Sequence, residues 1–324
     1  MRSETKNILI IGWDGFDQRN QAYSEILSAK CIYVEKHYSN RLRAFIAWFT
    51  KSCKSKKLIQ KYKPEIVIIK NTHFIIATVF FILKQLFGFK LVFDSHTSSL
   101  ENIFSYPAFI HRFLVKHIDM SIVTNQKHAK KINEWRGTPH IVHFPPIDFN
   151  KQSYKNYPVS DNFNICYIHT YSSDEPYFPV TNAIQKMKDI SIYITGNPKK
   201  SDHELIKAPN IFHTGFLSRE QYIGLLKNVD VIMVLTTREN TMQKGGNEGV
   251  FLDKPLITSN TTFLIKYFNK GCVYVNSDQN SIYDGITKMK NNYNKYKNEI
   301  IELKRELSQK NKDSIAKIKD LLKN

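Results

Sequence analysis

The residues best spaced to form a binding site fall in one short stretch, TTRENTMQKGGNEGVFLDKPLITSNT, at 236–261. It lies between two apolar runs, VDVIMVL and KPLITS, that read as buried parallel strands. The piece between them is then a loop and a short helix at the strands' carboxyl ends, where open α/β sheets hold their ligands. Gly245 and Gly246 allow close backbone approach to a ligand, and the free N–H groups at the start of the next helix suit an anion such as a diphosphate. Thr241, Gln243 and Lys244 add side-chain donors and a positive charge. Glu248 is the carboxylate of this stretch; taken alone, it also reads as an N-cap that stabilises its own helix end by about 1 kcal/mol.

Other candidates are thinner. GWDGF, at 12–16, is a glycine turn after an apolar strand, without the full G-x-G-x-x-G or the ribose-binding acid about 20 residues later that a dinucleotide fingerprint requires. Asp14 and Asp17 beside it read either as ligands for a bound molecule or as ordinary turn-forming aspartates. His96 ends an apolar strand in FDSHTSS, and His73 stands at a helix start, a place that needs no ligand to explain it. Cys31, Cys53, Cys166 and Cys272 form no C-x-x-C and lie beside no histidine pair at ligand spacing, so neither zinc nor a disulfide framework is expected and a reducing cytosol fits.

Positioning such residues takes a sizeable fold, and 324 residues suffice for two domains with separate cores. A composition 42% hydrophobic and 13% aromatic, with only 12 glycines and 11 prolines, excludes a disordered or fibrous chain. Buried strands read at KNILIIGWDG, YKPEIVIIKNTH, FKLVFDSHTS and DMSIVTNQ, with helices at 41–62, 73–87 and 107–117 between them, the β-α-β alternation of a parallel sheet. A proline-rich polar stretch near 150–162 reads as a linker. The alternation then resumes through FNICYIHTY, a helix over 176–188, ISIYITGNP, NIFHTGF, a helix over 218–228, VDVIMVLTT, KPLITS and CVYVN. Helical spacing of Ile286, Met289, Tyr293, Tyr296, Ile300, Leu303 and Leu307 makes the tail helical. FIIATVFFIL, at 74–83, falls short of the ~20 residues of a spanning helix and reads as a buried helix. The opening MRSETKNILIIGWDG enters a strand without the apolar region of a secretion signal.

EGVFLDKPLITS, with Pro255 seven positions after Glu248, resembles the E-A-x-x-x-G-x-P-V-I-x-S segment of glycosyltransferase family 4, the retaining GT-B enzymes. NIFHTGFLSREQYIGLLKNVDVIMVLTT is similar to the family segment before it, and TMQKGGNEG looks like a branch found among polysaccharide-assembly enzymes. The resemblance covers about 163–285; the earlier part matches mostly in strand order. It implies an α/β fold of GT-B type, two Rossmann-like doubly wound parallel-sheet domains facing a cleft. The expected divisions are an acceptor-binding domain at 1–155, a nucleotide-sugar donor domain at 156–285 and a helical tail at 286–324.

By this resemblance Glu248 accepts hydrogen bonds from the donor's ribose hydroxyls, which suits a carboxylate because its two oxygens can take two vicinal hydroxyls. The family's other glutamate would fall at 240, where this chain has Asn240; either neighbouring Glu239 fills the role or the Asn240 amide contacts the donor sugar. Gly196 ends the strand that abuts the nucleotide base and reads equally as a plain turn glycine. Asp174 and Glu175 occupy the place of the family's phosphate-gripping basic residues, which leaves Arg238, Lys244 and Arg219 as substitutes. GWDGF, with Asp14 and Asp17, falls where the family admits the acceptor, and His96 resembles a histidine near the transferred sugar, with a structural strand-end role as its alternative. No D-x-D motif is present, so amide dipoles and cationic side chains are expected to meet the leaving diphosphate's charge, with no metal or other cofactor. Retention lets the leaving phosphate oxygen take the acceptor's proton, whereas inversion would call on Asp14, Asp17 or Asp94 as general base.

Forty-seven Lys and Arg against 29 Asp and Glu, a formal charge of +18, fit anionic partners but also simple lysine dressing of solvated helices. In NRLRAFIAWFTKSCKSKKLIQKYK, Leu42, Phe45, Ile46, Phe49 and Cys53 recur at helical spacing beside Trp48, among Arg41, Arg43, Lys51, Lys54, Lys56 and Lys57. This helix either docks on an anionic membrane, making a lipid-linked glycan the natural acceptor, or packs on the core with a solvated basic side. The expected location is cytoplasmic, peripheral on the inner face of the plasma membrane, with no nucleic-acid partner. Two other classes remain: a nucleotide-sugar 2-epimerase, and a non-enzymatic basic binding protein on a degenerate GT-B scaffold.

Overall fold

The computed structural model describes residues 7–321 except 14, 16, 35–40, 72–73, 96–98, 101–107, 143–147, 201–203 and 240. The chain divides into two units, Met1–Pro146 with Gln309–Asn324, and Ile147–Ser308.

In the first unit six strands, β1 Ile8–Gly12, β2 Lys30–Tyr33, β3 Ile66–Asn71, β4 Lys90–Ser95, β5 Met120–Val123 and β6 Pro139–Ile141, form one parallel sheet in the order β2-β1-β3-β4-β5-β6. Between them lie α1 (Gln18–Leu27), α2 (Arg41–Tyr62), α3 (Phe74–Phe87), α4 (Ala108–His117) and α5 (Gln126–Glu134). Alternation along the strands separates two cores. Leu9, Ile11, Val67, Ile69, Leu91 and Phe93 point to one face, against Ile59 of α2, Phe80 of α3 and Leu114 of α4. Ile8, Ile10, Ile66, Ile68 and Val92 point to the other, against Tyr23 and Leu27 of α1 and against Ile315 and Ile318 from the end of the chain. Strand order reverses between β1 and β3, which makes their carboxyl ends the switch point of this sheet.

The second unit repeats the plan. Its strands are β7 Phe163–Tyr167, β8 Ile190–Thr195, β9 Ile211–Gly215, β10 Val231–Val234, β11 Leu256–Ser259 and β12 Cys272–Val275, in the parallel order β12-β11-β10-β7-β8-β9. The helices are α6 (Tyr177–Ile184), α7 (Arg219–Asn228), α8 (Lys244–Phe251), α9 (Thr262–Tyr267) and α10 (Gln279–Asn291), followed by α11 (Tyr293–Leu321), which starts in this unit. Ser218 and Gln221 form a reciprocal capping box that starts α7 at Arg219. Order reverses between β7 and β10. The tail expected to be helical is formed by two helices, α10 and α11, and the residues of α11 from Gln309 belong with the first unit.

Two expectations change. The apolar run at 74–83 was expected to be a buried helix; within it α3 buries Ile76, Ala77, Phe80 and Leu83 but exposes Ile82, and beyond it α3 exposes Leu86 and Phe87, because a helix on a sheet covers one stripe only. In α2, Lys51 is not a solvated charge: it is buried and donates to the Trp13 carbonyl at 2.5 Å, while Ile46 and Phe49 of the same helix face solvent. No helix among the described residues is long and apolar enough to cross a membrane.

Candidate functional site

Strand ends place a cavity of about 600 Å³ at the switch point of the second unit. Ile168, His169 and Thr170 follow β7, Thr195 and Gly196 close β8, the Gly215–Arg219 turn leads from β9 into α7, and Gln243, Lys244, Gly245 and Glu248 come from the start of α8. Phe216, on the turn, is 87% exposed and offers a bare ring to this cavity.

Glu248 is the buried carboxylate of the wall, 3% exposed. It is not a helix cap. Gln243 occupies the N-cap of α8, and Glu248 sits one turn further in, held from α7. Its Oε1 accepts from Arg219 Nη1 at 3.2 Å and its Oε2 from the Tyr222 hydroxyl at 2.6 Å. Burial first, and the neighbouring Glu248 charge second, hold the Tyr222 phenol well above its ordinary pKa, so it remains a donor at physiological pH. Arg219 also donates to Gln152 Oε1 at 2.9 Å, and its guanidinium lies 5.7 Å from the Tyr222 ring centre. A carboxylate braced from one side on each oxygen keeps one lone pair per oxygen for a ligand.

Gly245 and Gly246, expected to allow a ligand's close approach, also have a packing reason. They lie inside the first turn of α8, where a Cβ on Gly245 would come within 2.6 Å of Ile168 Cδ1 and one on Gly246 within 2.7 Å of Phe268 Cζ. The pair lets the helix press onto strand side chains and Phe268, and the first-turn amides have no acceptor within the helix. Gly196 is fixed by the backbone too: its φ is +99°, and a Cβ would fall 2.3 Å from the His169 carbonyl oxygen.

The acidic pair at 174–175 is taken up by its own loop. Asp174 accepts from Ser172 Oγ at 2.6 Å and Thr236 Oγ1 at 2.7 Å and pairs with Arg238 at 3.1 Å; although burial raises its pKa, these partners hold it below the usual carboxylate range. Glu175 accepts from the Thr170 amide at 2.7 Å, yet burial pushes its pKa up. It faces His169 Nε2 at 3.6 Å, and His169 Nδ1 accepts the Tyr171 amide at 3.1 Å. Arg238 is therefore engaged with Asp174, and it does not line the cavity; neither do Glu239 and Thr241. Asn240 lies outside the described residues.

In the first unit, Asp17 is the N-cap of α1, accepting from the amides of Arg19 and Asn20, and it pairs with Lys70 Nζ at 2.8 Å across the switch point. Asp94 is 1% exposed and gripped by the Arg19 guanidinium, with Arg19 Nε 3.0 Å from both carboxylate oxygens. Such a carboxylate has no open side toward an acceptor hydroxyl, which removes it as a general base. Asp14, His73 and His96 lie outside the described residues.

The cavity thus brings together Gly196, Arg219, Gln243, Lys244, Gly245 and Glu248 from the sequence reading. Tyr222, Phe216 and His169 were missed. Tyr222 had a legible signal, standing three residues after Arg219 and so on the same side of α7; the other two had none.

No protein-family model matches the chain, and no curated protein matches it in sequence. Solved structures do match in fold. HepE of Anabaena, in complex with UDP-glucose, is 12% identical over 97% of this chain and 98% of that one, with a TM-score of 0.69. Sucrose-phosphate synthase of Thermosynechococcus elongatus is 14% identical over 98% of each chain, with a TM-score of 0.70. A UDP-N-acetylglucosamine 2-epimerase candidate from Listeria monocytogenes is 13% identical over 91% of each chain, with a TM-score of 0.60. These likenesses show the fold, the GT-B architecture shared by nucleotide-sugar-using glycosyltransferases.

Proposed function

We propose that the protein is a glycosyltransferase that takes a sugar from a nucleotide-sugar bound in the cavity of the second unit and passes it to a glycan acceptor. The observation that carries this reading is the buried Glu248 carboxylate, held by Arg219 and Tyr222 with one lone pair open on each oxygen, beside the free first-turn amides of α8. That combination suits a ribose diol and a diphosphate side by side. Arg219 and Lys244 line the same cavity and add positive charge there, and Phe216, also on its wall, offers the base a ring face. HepE was solved with UDP-glucose, with UDP, and with UDP and glucose, which makes uridine nucleotides the first probes to try.

Transfer by the retaining route of the resembled family needs no dedicated protein base. The leaving phosphate oxygen takes the acceptor's proton on the same face of the sugar, while amide dipoles and the two cations stabilise the departing diphosphate. The acceptor is read as a lipid-linked glycan of a growing surface polysaccharide, in keeping with the resemblance of TMQKGGNEG to polysaccharide-assembly enzymes. The test is a thermal-shift screen of nucleotide-sugars, since a ligand that binds only the folded chain raises its melting temperature. A rise with wild type that Glu248→Gln diminishes supports the reading; no response to any member contradicts it.

One observation favours epimerisation as a second reading: the His169–Glu175 pair on the cavity wall is an acid-base couple beside the donor position. Incubation with the donor alone separates the two, because an epimerase converts it without acceptor.

A further inference from the structure

Helices α2, α3 and α4 cover one face of the first sheet, and their outer sides are unlike the rest of the surface. Ile46 and Phe49 of α2, Ile82 and Leu86 of α3, and Phe109 and Phe113 of α4 all stand exposed, Phe49 at 68% and Phe109 at 75%. Because the inner sides of all three helices pack into one core cluster and α3 touches both neighbours, these residues share one outer face. Phe81 of α3 meets Phe113 of α4 edge to face at 5.7 Å, which joins the two helices' apolar ridges. An apolar face of this kind on a soluble fold marks a contact surface.

Charge identifies the occupant. The 22, 14 and 10 residues of these helices include no Asp or Glu. Lys51 and Lys84 are held by the fold, on the Trp13 carbonyl and Asp119 respectively, while Lys54 and Lys57 of α2 and Arg112 and Lys116 of α4 stand exposed on the same helices as the apolar residues. A second copy docking through the same face would set lysine and arginine against lysine and arginine, a repulsive arrangement. An acidic phospholipid bilayer supplies what this face lacks, negative headgroups for the collar and acyl chains for the ridge.

We infer that the outer face of α2, α3 and α4 docks the chain on an anionic bilayer, with Phe109, Phe113, Leu86 and Phe49 entering the interface and the basic collar lying on the headgroups. The helices lie in the plane of the membrane and do not cross it. Docking of this kind does not depend on the nucleotide-sugar reading, and its test contains no nucleotide, so the two can fail separately.

The test is co-sedimentation of the full chain with vesicles of phosphatidylcholine alone and of phosphatidylcholine mixed with phosphatidylglycerol. The wild-type chain should pellet with the mixed vesicles and stay in solution with phosphatidylcholine, and added salt should release it. Phe109→Ser with Phe113→Ser should weaken binding at least tenfold, each ring contributing on the order of tenfold when it enters acyl chains. Arg112→Glu with Lys116→Glu keeps the ridge and reverses the collar; it should abolish the preference for phosphatidylglycerol, and it decides the matter if the phenylalanine variant fails to fold. Equal binding of both variants and wild type overturns the inference, as does a wild-type chain that ignores mixed vesicles. A lipid-free dimer that the phenylalanine changes dissociate also overturns it, by assigning the face to a second copy.

Discussion

Replacing Glu248 by glutamine should weaken nucleotide binding by a calculable amount and leave the fold in place. A carboxylate offers about four lone pairs; Arg219 takes one on Oε1 and Tyr222 one on Oε2, so one per oxygen remains for two vicinal hydroxyls. Glutamine offers a single oxygen with two lone pairs, and if Tyr222 keeps one, only one ribose hydroxyl can still be held. The loss is about one charge-assisted hydrogen bond, roughly 1.5–3 kcal/mol, or about 10- to 150-fold in Kd. Folding survives because the buried Tyr222 hydroxyl retains an acceptor. Calorimetric titration with UDP and with its 2′-deoxy analogue checks the count as a cycle. The wild-type chain should bind the deoxy compound much more weakly, whereas the Glu248→Gln chain, already short of one hydroxyl, should discriminate far less. If the two losses simply add, the carboxylate does not touch the ribose and the reasoning is refuted.

Further predictions follow from the same geometry. Gly246→Ala forces a methyl to within 2.7 Å of the Phe268 ring, an overpacking of about 1–3 kcal/mol, which should lower the melting temperature by roughly 2–4 °C for each kcal/mol; an unchanged melting temperature with lost nucleotide binding would instead give the glycine a ligand role. Arg219→Ala should weaken nucleotide binding while Arg238→Ala should not, because Arg238 is spent on Asp174 outside the cavity; equal effects in the same titration would contradict this. His111 is buried against Trp135, and burial lowers its pKa to about 4. Its unfolded form, near 6.5, binds a proton at higher pH than the folded form, so its contribution to stability is present at neutral pH and fades as pH falls from about 6.5 to 4. Denaturant titrations should show up to roughly 3 kcal/mol lost over that window, with a flatter acid limb in His111→Phe; parallel limbs would show that His111 is not the group responsible.

Much of the fold was legible because buried parallel strands are near-continuous apolar runs. All six strands of the second unit stand among the runs read from the sequence, and α2 matches the helix expected at 41–62. The missed strands, β2 and β6, are the edges of the first sheet; KCIY and PHI are short and largely half-buried, so their residues form no apolar run. Helices α1 and α5 were missed for a related reason, being polar sequences whose starts are set by the side chains of Asp17 and Asn125. At the site, the placement of Glu248 beside a strand end was legible from its register with KPLITS. Its pairing with Arg219 and Tyr222 was not, because they reach it from a helix 29 and 26 residues away in the chain. The glycine pair shows a further limit: a sequence signals that a side chain is unwelcome, but not whether a ligand or a phenylalanine ring occupies the space.

The most direct measurement of the central claim is a structure of the chain grown with the nucleotide-sugar that raises its melting temperature most. The account predicts the diphosphate at the first turn of α8 and both ribose hydroxyls about 2.5–3 Å from the Glu248 carboxylate, with Arg219 and Tyr222 still bracing it from behind. A nucleotide bound elsewhere on the chain, or a ribose out of reach of Glu248, would contradict it.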